Sequence, residues 1–330
     1  MSSVLEFNNK VYWLYFRKKM DYLSSWCKST KTLDGYTVVL TGGSTGIGKE
    51  TALDLYKRGA RVILACRDMA KTEKAKEDIL KETNDEHKGS IAIEKLDLSS
   101  LQSVRECASR ILATEAKIDI LINNAGIMMA PKGMTEDGYE IHIGTNHFGH
   151  ALLTLLLLPR IIESAPARIV TVASFAHILS NLDIDDINIE KTFYLPMKAY
   201  SRSKAANIMF SRALHIKLRE NNIQNVNTYS LHPGTVSTEA VRHLDKSLFS
   251  GATWIVNNVI SWFIRSPRSG AQTTIYCAID DACANESGLY YDNCGVSRTY
   301  WQCSDDAAAL KLWHLTLEKL DLQDPFKTKD

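Results

Sequence analysis

The feature that most constrains the fold is a regular alternation of short β-branched runs with longer helical stretches, which begins at residue 36. The predicted strands are the runs 36–41, 60–66, 91–98, 118–123, 168–173, 226–231 and 288–292. Segments of helical length separate the first six runs, which is the pattern of β–α–β units. The runs are almost continuously apolar, as in strands covered on both faces. We therefore predict an α/β fold with a single doubly wound parallel sheet of about seven strands and helices on both faces.

No repeat, low-complexity tract or Pro/Gly-rich linker divides the chain, so one domain is predicted over 35–322, with an N-terminal arm at 1–34 and a polar tail at 323–330. The arm carries a short apolar stretch, Val11 to Phe16, which three cations follow. A bilayer span needs about 20 apolar residues, so this stretch is too short to cross. A helix that packs on the domain and an interfacial helix on a membrane surface are both open.

Charge and cysteine content exclude several classes of protein. The chain has 39 basic and 38 acidic residues, a net charge of +1, which does not indicate a nucleic-acid partner. Its seven cysteines are scattered without a C-x-x-C pair, so neither a zinc site nor a disulfide framework is predicted. His142, His147 and His150 stand close together, but no cysteine or carboxylate cluster joins them. We interpret them as packing and hydrogen-bonding residues and predict no metal site.

A glycine-rich turn, "TGGSTGIG" at 41–48, follows the first predicted strand and opens a helix. That context is typical of dinucleotide binding, because glycines let the backbone approach a pyrophosphate and the helix N-terminus offers free N–H groups. The spacing is G-x-x-x-G-x-G rather than G-x-G-x-x-G, so the general Rossmann fingerprint fits only loosely. The predicted cofactor contacts in this turn are Gly42, Ser44, Thr45, Gly46, Ile47 and Gly48.

The same turn contains a competing pattern. "GGSTG" at 42–46 matches G-x-S-x-G, the nucleophile elbow of serine hydrolases, in which Ser44 would attack an ester and His232 would serve as its base. The turn follows the first strand of the sheet, however, so no earlier strand loop supplies part of an oxyanion hole. We keep the hydrolase as an unfavoured alternative.

The end of the second predicted strand carries information about the cofactor. The sequence "ACRD" ends with Arg67 and Asp68, about twenty residues after the glycines. An acidic side chain at this place binds the ribose 2′-hydroxyl of NAD, whereas an arginine accommodates the 2′-phosphate of NADP. Arg67 comes first, and its planar fork suits a phosphate. We therefore predict NADP(H), although a shift of one residue would reverse the preference.

Other polar and small residues fall at the carboxyl ends of later strands, where ligands bind in an open parallel sheet. The additional predicted cofactor contacts are Asp97, Leu98, Asn124, Ala125, Gly126, Pro233, Gly234, Val236 and Thr238. Ser174 ends the fifth predicted strand, and Asn146 lies early in the preceding helix. Tyr200 and Lys204 stand four residues apart, which on a helix places them on the same face.

Together these patterns resemble the short-chain dehydrogenase/reductase family. T-G-x-x-x-G-I-G (41–48), N-N-A-G (123–126), Ser174, Y-x-x-x-K (200–204) and H-P-G (232–234) occur in the family's order. The wording "ACRD", "NNAGIMM" and "NHFGH" is most similar to the retinol dehydrogenase subgroup. The resemblance implies a catalytic tetrad of Asn146, Ser174, Tyr200 and Lys204, with Ser174 contacting the substrate and Tyr200 and Lys204 also contacting the cofactor.

The resemblance further implies hydride transfer between NADP(H) and an apolar carbonyl or alcohol. Retinoid, steroid, isoprenoid and lipid-derived substrates stay open, as does a catalytically silent NADP(H)-binding scaffold. Ala173 stands where relatives often carry a second serine. The N-terminus lacks the long anchor common in the subgroup, so a position on the cytoplasmic side of the endoplasmic reticulum membrane is one expectation among others.

Elementary electrostatics gives the Tyr200–Lys204 spacing a chemical meaning. A phenol titrates at about 10 and is a poor base at neutral pH. An ammonium about 5.5 Å away contributes about 3 kcal/mol in favour of the phenolate at an effective dielectric of about 20. We therefore expect Lys204 to lower the pKa of Tyr200 towards the pH at which acid–base catalysis is efficient. Asn146 is expected to support a proton-relay water.

The segment 244–267 is rich in large apolar side chains and follows the sixth predicted strand. Its composition suits the lid of an apolar pocket. A peripheral membrane contact and a homodimer contact are the alternatives, and the three do not exclude one another.

Overall fold

A computed structural model of the chain describes residues 24–84, 89–234 and 265–327. Its strands are β1 (Thr37–Thr41), β2 (Arg61–Cys66), β3 (Ser90–Lys95), β4 (Ile120–Asn123), β5 (Ala167–Val172), β6 (Val226–His232), β7 (Leu289–Asp292) and β8 (Gly295–Val296). They form one eight-stranded sheet in the order β3-β2-β1-β4-β5-β6-β7-β8. The first seven strands are parallel, and β8 pairs antiparallel with β7. The predicted doubly wound sheet is confirmed, with β8 as an addition.

Helices cover both faces of this sheet. They are α1 (Gly46–Lys57), α2 (Met69–Thr83), α3 (Leu101–Thr114), α4 (Gly149–Glu163), α5 (Pro196–Glu220), α6 (Pro267–Ile279) and α7 (Asp306–Lys319). One apolar core joins the sheet to α3, α4, α5 and α7, and the other joins it to α1, α2 and α6. Along β1, Val39 faces the first core while Val38 and Leu40 face the second, because successive side chains of a strand alternate between its faces.

The strand order reverses beside β1, which pairs with β2 on one side and with β4 on the other. At such a switch point the loops that follow the two central strands diverge and leave a crevice outside their carboxyl ends. The turn after β1 and the segment after β4 therefore border one crevice. This is the place where a doubly wound sheet binds its ligand.

The described part of the N-terminal arm lies against the domain. The Ser25 N–H donates to Asn293 Oδ1 at 2.8 Å, and the Leu33 side chain is fully buried. Near the other end of the chain, the Phe326 ring lies 6.1 Å from that of Trp313, centroid to centroid. Boundaries of the arm and the tail at 34 and 322 stay predictions.

Two segments discussed from the sequence fall outside the described residues. They are the apolar stretch at 11–16 and nearly all of the apolar segment 244–267. Among the helices in the described ranges, none has both the length and the apolar character needed to cross a bilayer.

Candidate active site

The glycine turn packs against the segment that follows β4. Gly42 has a φ of +69°, and a Cβ on it would lie 2.8 Å from the Ala125 Cα. A Cβ on Gly48 would overlap the Gly42 carbonyl oxygen and lie 2.6 Å from Asn124 Nδ2. Gly46 also has a positive φ, +55°. The three glycines are thus required by left-handed backbone or by lack of space, which accounts for the G-x-x-x-G-x-G spacing.

The residues of this turn fit a dinucleotide. Thr45 stands at the N-cap of α1, but its side chain makes no capping hydrogen bond. The first N–H groups of a helix have no partner within the helix, and they carry the positive end of its dipole. Ser44 and Ile47 are half-buried beside these donors. An anionic pyrophosphate would find the N–H groups at the start of α1 as donors.

A threonine that the sequence analysis gave no role fixes the two borders of the crevice. Thr41 Oγ1 accepts hydrogen bonds from the backbone N–H groups of Asn124 at 2.9 Å and Ala125 at 3.0 Å. The Asn124 side chain in turn donates to the carbonyl oxygens of Thr41 at 2.9 Å and Gly42 at 3.2 Å. The signal was present, since Thr41 is the first letter of T-G-x-x-x-G-I-G. Gly126, the next residue, is exposed at this border.

Arg67 and Asp68 divide their tasks at the end of β2. The Asp68 carboxylate accepts a hydrogen bond from the Lys71 N–H at 3.0 Å and so caps α2. The Arg67 side chain is exposed, while its carbonyl oxygen accepts from Lys95 Nζ at 2.5 Å. The acid thus caps its own helix, while the arginine side chain is exposed at the same strand end.

Asp97 and Leu98 lie in the loop after β3 and shape its path. Asp97 Oδ1 accepts from the Ser99 N–H at 3.0 Å and the Ser99 hydroxyl at 2.6 Å, and its own N–H donates to Ser103 Oγ at 2.9 Å. A Cβ on Gly149 would lie 2.5 Å from the Leu98 carbonyl oxygen, so α4 begins directly beneath this loop. The sequence analysis placed these residues at the end of a strand, whereas β3 ends at Lys95.

Asn146 lies in a π-helical turn, Gly144–Phe148, that precedes α4. Its side chain is fully buried and accepts from the Ile127 N–H at 2.9 Å while donating to the Ile127 carbonyl at 3.0 Å and to Ser203 Oγ at 2.9 Å. Single π turns of this kind are frequent at functional sites. The amide of Asn146 thus joins the segment after β4 to α5, and the relay water stays a prediction.

Ser174 and Tyr200 meet at the end of β5. Ser174 Oγ accepts from the Ala176 N–H at 3.2 Å and lies close enough to the Tyr200 hydroxyl to lower the pKa of that phenol. Burial of the Tyr200 hydroxyl raises its pKa, and Ser174 offsets this only in part. The expected lowering of this pKa was therefore wrong. The estimate from sequence weighed the attraction of Lys204 but not the cost of placing a phenolate in a side chain only 9% exposed.

Lys204 lies one helical turn after Tyr200 on α5, on the same face of the helix. Its Nζ lies 5.9 Å from the centroid of the Tyr200 ring and donates to the Val172 carbonyl at 2.9 Å. A Cβ on Gly126 would lie 3.3 Å from both this Nζ and Asn146 Oδ1, so the glycine leaves the two groups open towards the crevice. Burial lowers the pKa of Lys204 to about 8.

The predicted residues after β6 are only partly described. Pro233 is buried, and Gly234 has a φ of +84° with a missing Cβ that would lie 2.7 Å from Arg265 Cδ. Val236 and Thr238 lie outside the described residues.

The hydrolase alternative finds no support in this geometry. Ser44 follows β1 and His232 ends β6, and two strands separate β1 from β6. At a strand spacing of about 4.8 Å, the two residues belong to strands about 14 Å apart. His232 Nδ1 accepts a hydrogen bond from the Phe175 N–H at 3.2 Å, and burial lowers the pKa of His232 to about 4. The histidine is thus a weak base held elsewhere.

A buried acid without a predicted role, Glu140, pairs with a histidine whose ring contacts Tyr200. Glu140 Oε1 is 2.8 Å from His142 Nδ1 and accepts from the Tyr194 hydroxyl at 3.0 Å. The His142 ring meets that of Tyr200 edge-on, with centroids 6.4 Å apart. Glu140 also caps the helical turn Ile141–Ile143, but glutamate is not among the residues that favour an N-cap, so no capping signal marked it in the sequence. Within the described ranges, no three His, Cys, Asp or Glu side chains are grouped as a metal would require.

Comparisons with known proteins agree with this geometry. A family model described as short chain dehydrogenase matches residues 36–184. Human retinol dehydrogenase 11 is 44% identical over 296 residues, which are 90% of this chain and 89% of that protein. The chain belongs to the short-chain dehydrogenase/reductase family. Human retinol dehydrogenase 13 is 41% identical over 301 residues, 91% of this chain and 88% of its own. The protein is therefore an oxidoreductase of the retinol dehydrogenase-like kind, in a family that uses nicotinamide cofactors.

Solved structures of short-chain dehydrogenases/reductases and related chains share this fold. An uncharacterised protein from Mycobacterium paratuberculosis superposes with a TM-score of 0.72 at 30% identity, covering 92% of this chain and 99% of that one. The RhlG/NADP active-site complex of Pseudomonas aeruginosa superposes with a TM-score of 0.60 at 25% identity, covering 78% of this chain and 94% of that one.

Proposed function

We propose that the protein is an NADP(H)-dependent oxidoreductase that interconverts a carbonyl and an alcohol on an apolar substrate, with Tyr200 as general acid and base. One observation carries the proposal: the Tyr200 hydroxyl lies beside Ser174, which acts on its pKa, and Lys204 Nζ lies 5.9 Å from the centroid of the Tyr200 ring. An isolated Tyr–Lys pair on a helix is usually a solvated surface feature. Here both side chains are buried, and Tyr200 lies beside a serine from another element.

The direction of the Tyr200 pKa shift suits proton donation. Burial keeps the hydroxyl protonated at neutral pH, so Tyr200 can give a proton to a carbonyl oxygen that is being reduced. Ser174 lies beside the Tyr200 hydroxyl and would hold the same oxygen. In the opposite direction Tyr200 must accept the proton of an alcohol, and the neighbouring ammonium of Lys204 favours the phenolate that this requires.

The bound nicotinamide would supply or accept the hydride, and the protein orients the reactants and tunes their protonation. Gly42, Gly46 and Gly48 would hold the pyrophosphate against the start of α1. Lys204 would hold the nicotinamide ribose, close to Gly126 and Asn146. Asn146 would hold the segment after β4 against α5 through its hydrogen bonds to Ile127 and Ser203.

The preference for NADP(H) is supported by the division of tasks after β2. Asp68 caps α2, while Arg67 is exposed at the strand end. A guanidinium suits the 2′-phosphate of NADP because its donors match the oxygens of a phosphate in a planar fork. Among the structural relatives, the RhlG structure is described as an NADP complex.

An apolar substrate is supported by the side chains that follow Ser174 and precede α5. The members of this apolar rim are exposed by 56% at Phe175, 39% at Ile178, 63% at Leu179, 81% at Phe193 and 51% at Leu195. The relatives' name points to a retinoid, and a steroid, an isoprenoid or a lipid-derived carbonyl would suit the same rim. A peripheral membrane contact, a homodimer and a location at the cytoplasmic face of the endoplasmic reticulum stay predictions.

The decisive experiment compares wild type with Tyr200→Phe on a panel of retinoid, steroid, isoprenoid and aliphatic carbonyls, followed through nicotinamide absorbance. We expect turnover to fall by about 10²–10⁴-fold because the proton donor is lost. The dissociation constant of NADPH should stay within a factor of about two, since the ring is kept. Retained turnover would refute the assignment of Tyr200. Binding of NADPH without turnover of any carbonyl or alcohol would instead favour the silent scaffold.

A further inference from the structure

A buried histidine connects the glycine turn to the tetrad. His150 lies in the first turn of α4 with 2% of its surface exposed. Its Nε2 is 2.9 Å from Thr41 Oγ1, and its Nδ1 is 2.9 Å from the Asn146 carbonyl oxygen. The ring therefore spans the distance from the end of β1 to the π-helical turn.

The hydrogen-bond pattern fixes where the protons lie. Thr41 Oγ1 accepts the N–H groups of Asn124 and Ala125, and its own proton has two acceptors within reach, His150 Nε2 at 2.9 Å and the Ile122 carbonyl oxygen at 3.5 Å. The shorter contact makes His150 Nε2 the acceptor. Nδ1 must then carry the ring proton and donate it to the Asn146 carbonyl oxygen. The other tautomer would place a third donor on Thr41 and direct a lone pair of Nδ1 at an oxygen. Burial, and secondarily the charge of Lys204, lower the pKa of His150 to about 4, so the ring is neutral.

The chain of contacts continues from Asn146 to the catalytic tyrosine. The Asn146 side chain donates to Ser203 Oγ at 2.9 Å, and the Ser203 hydroxyl donates to the Tyr200 carbonyl oxygen at 2.7 Å. Asn146 Oδ1 accepts from the Ile127 N–H at 2.9 Å. A displacement of Asn146 would therefore reach the backbone of α5 at the residue that carries the reacting hydroxyl.

We propose that His150 is a positioning residue that couples the cofactor turn to the catalytic tetrad, one ring nitrogen serving each side. This inference rests on the proposed oxidoreductase function. Through Nε2 the ring holds Thr41, which ties the β1 and β4 ends into a cofactor-binding crevice. Through Nδ1 it holds Asn146, and thereby the register of Tyr200 against Ser174.

Two near-isosteric substitutions of His150 each keep one of its two hydrogen bonds and remove the other. The amide nitrogen of an asparagine reaches the position of Nδ1, so His150→Asn keeps a donor to Asn146 and loses the bond to Thr41. The end of a glutamine side chain reaches the position of Nε2, so His150→Gln keeps the acceptor for Thr41 and loses the bond to Asn146. His150→Leu removes both.

We expect His150→Asn to weaken NADPH binding about tenfold, measured by fluorescence titration, with kcat nearly unchanged. For His150→Gln we expect kcat to fall about tenfold with a nearly unchanged dissociation constant for NADPH. His150→Leu should show both losses. Thermal unfolding of each variant reports whether stability changes in parallel.

His147 supplies the matched control. It is equally buried on the same segment, but its Nε2 is bonded to Thr316 Oγ1 at 3.0 Å and its ring packs on Phe210, away from the crevice. The Asn, Gln and Leu substitutions of His147 should lower the melting temperature without separating kcat from NADPH affinity. If the His150 variants behave in the same way, with losses that only follow stability, the coupling role is overturned. If wild type turns over no carbonyl, the proposed function fails. The NADPH affinity of His150→Asn still tests whether the bond from His150 to Thr41 supports cofactor binding.

Discussion

The two sides of the crevice are built in opposite ways. On the cofactor side, Thr41, Gly42 and Asn124 form a closed set of short hydrogen bonds, and the glycines leave no room for even one carbon atom. On the substrate side, beyond Ser174, the apolar rim stands in solvent, with Leu179 at 63% and Phe193 at 81% exposure.

The difference follows from what each side must recognise. A pyrophosphate has one shape, and backbone donors that are fixed in advance bind it without a cost of rearrangement. An apolar substrate offers few polar groups, so recognition depends on the area of nonpolar surface that it covers. The cofactor side should therefore be intolerant of small changes, whereas the substrate side should respond gradually.

The largest expected effect tests that intolerance. Gly48→Ala would place a methyl group against the Gly42 carbonyl and the Asn124 amide, both of which are held by other bonds. We expect NADPH to bind about a hundredfold more weakly, because overpacking of this kind costs about 1–3 kcal/mol. Fluorescence titration well below the melting temperature of the variant gives the dissociation constant.

Gly133→Ala is the control, since its new carbon would lie 3.8 Å from the Pro131 carbonyl oxygen, which is an ordinary van der Waals contact. It should change NADPH affinity less than about twofold. Equal effects of the two substitutions would mean that the turn tolerates added bulk and that the contrast between the two sides is wrong.

Arg67 offers the next largest effect, on the choice between cofactors. Arg67→Ala should weaken NADPH about 10–100-fold and leave NADH unchanged, because a hydrogen bond to a charged group contributes about 1.5–3 kcal/mol. Arg67→Lys keeps the charge but not the planar guanidinium, so its affinity for NADPH should lie between those of wild type and Arg67→Ala. Thermal shifts with each nucleotide provide the measurement. A parallel loss of NADPH and NADH binding would remove Arg67 from the 2′-phosphate site.

The pH dependence of turnover tests how far Lys204 is shielded from water. Burial lowers the pKa of Lys204 to about 8, so its ammonium is present below that pH and is lost as the pH rises through it. Since the mechanism needs the cation, kcat/KM should fall about tenfold per pH unit above about 8. A profile that stays flat to pH 10 would show that water screens Lys204 and that its surroundings are not dry.

The features that could be predicted from the sequence differ in kind from those that could not. The sheet, the glycine turn and the convergence of Ser174, Tyr200 and Lys204 depend on local patterns and on a topology that fixes where strands end. The shift of the Tyr200 pKa was predicted with the wrong sign, because desolvation depends on long-range packing that spacing does not reveal. The contacts of Glu140 with Tyr194 and of His150 with Thr41 were missed for a similar reason, since these partners lie 54 and 109 residues away along the chain.

The smallest expected effect concerns the apolar rim. Leu179→Ser and Phe193→Ser each remove an exposed side chain that a long apolar substrate would cover. Covering part of such a side chain contributes about 1 kcal/mol, so KM for a long apolar carbonyl should rise about three- to tenfold. A small carbonyl should be unaffected, and the dissociation constant of NADPH should not change.

Val296→Ser is the matched control for the rim. Val296 is 55% exposed, but it lies on β8 at the edge of the sheet, two strands beyond β6. Its replacement should leave KM unchanged for long and small carbonyls alike. If the rim variants also leave KM for long carbonyls unchanged, the substrate does not cover these side chains, and their exposure must serve another contact. If instead they weaken NADPH, the two sides of the crevice are coupled more tightly than their separate construction indicates.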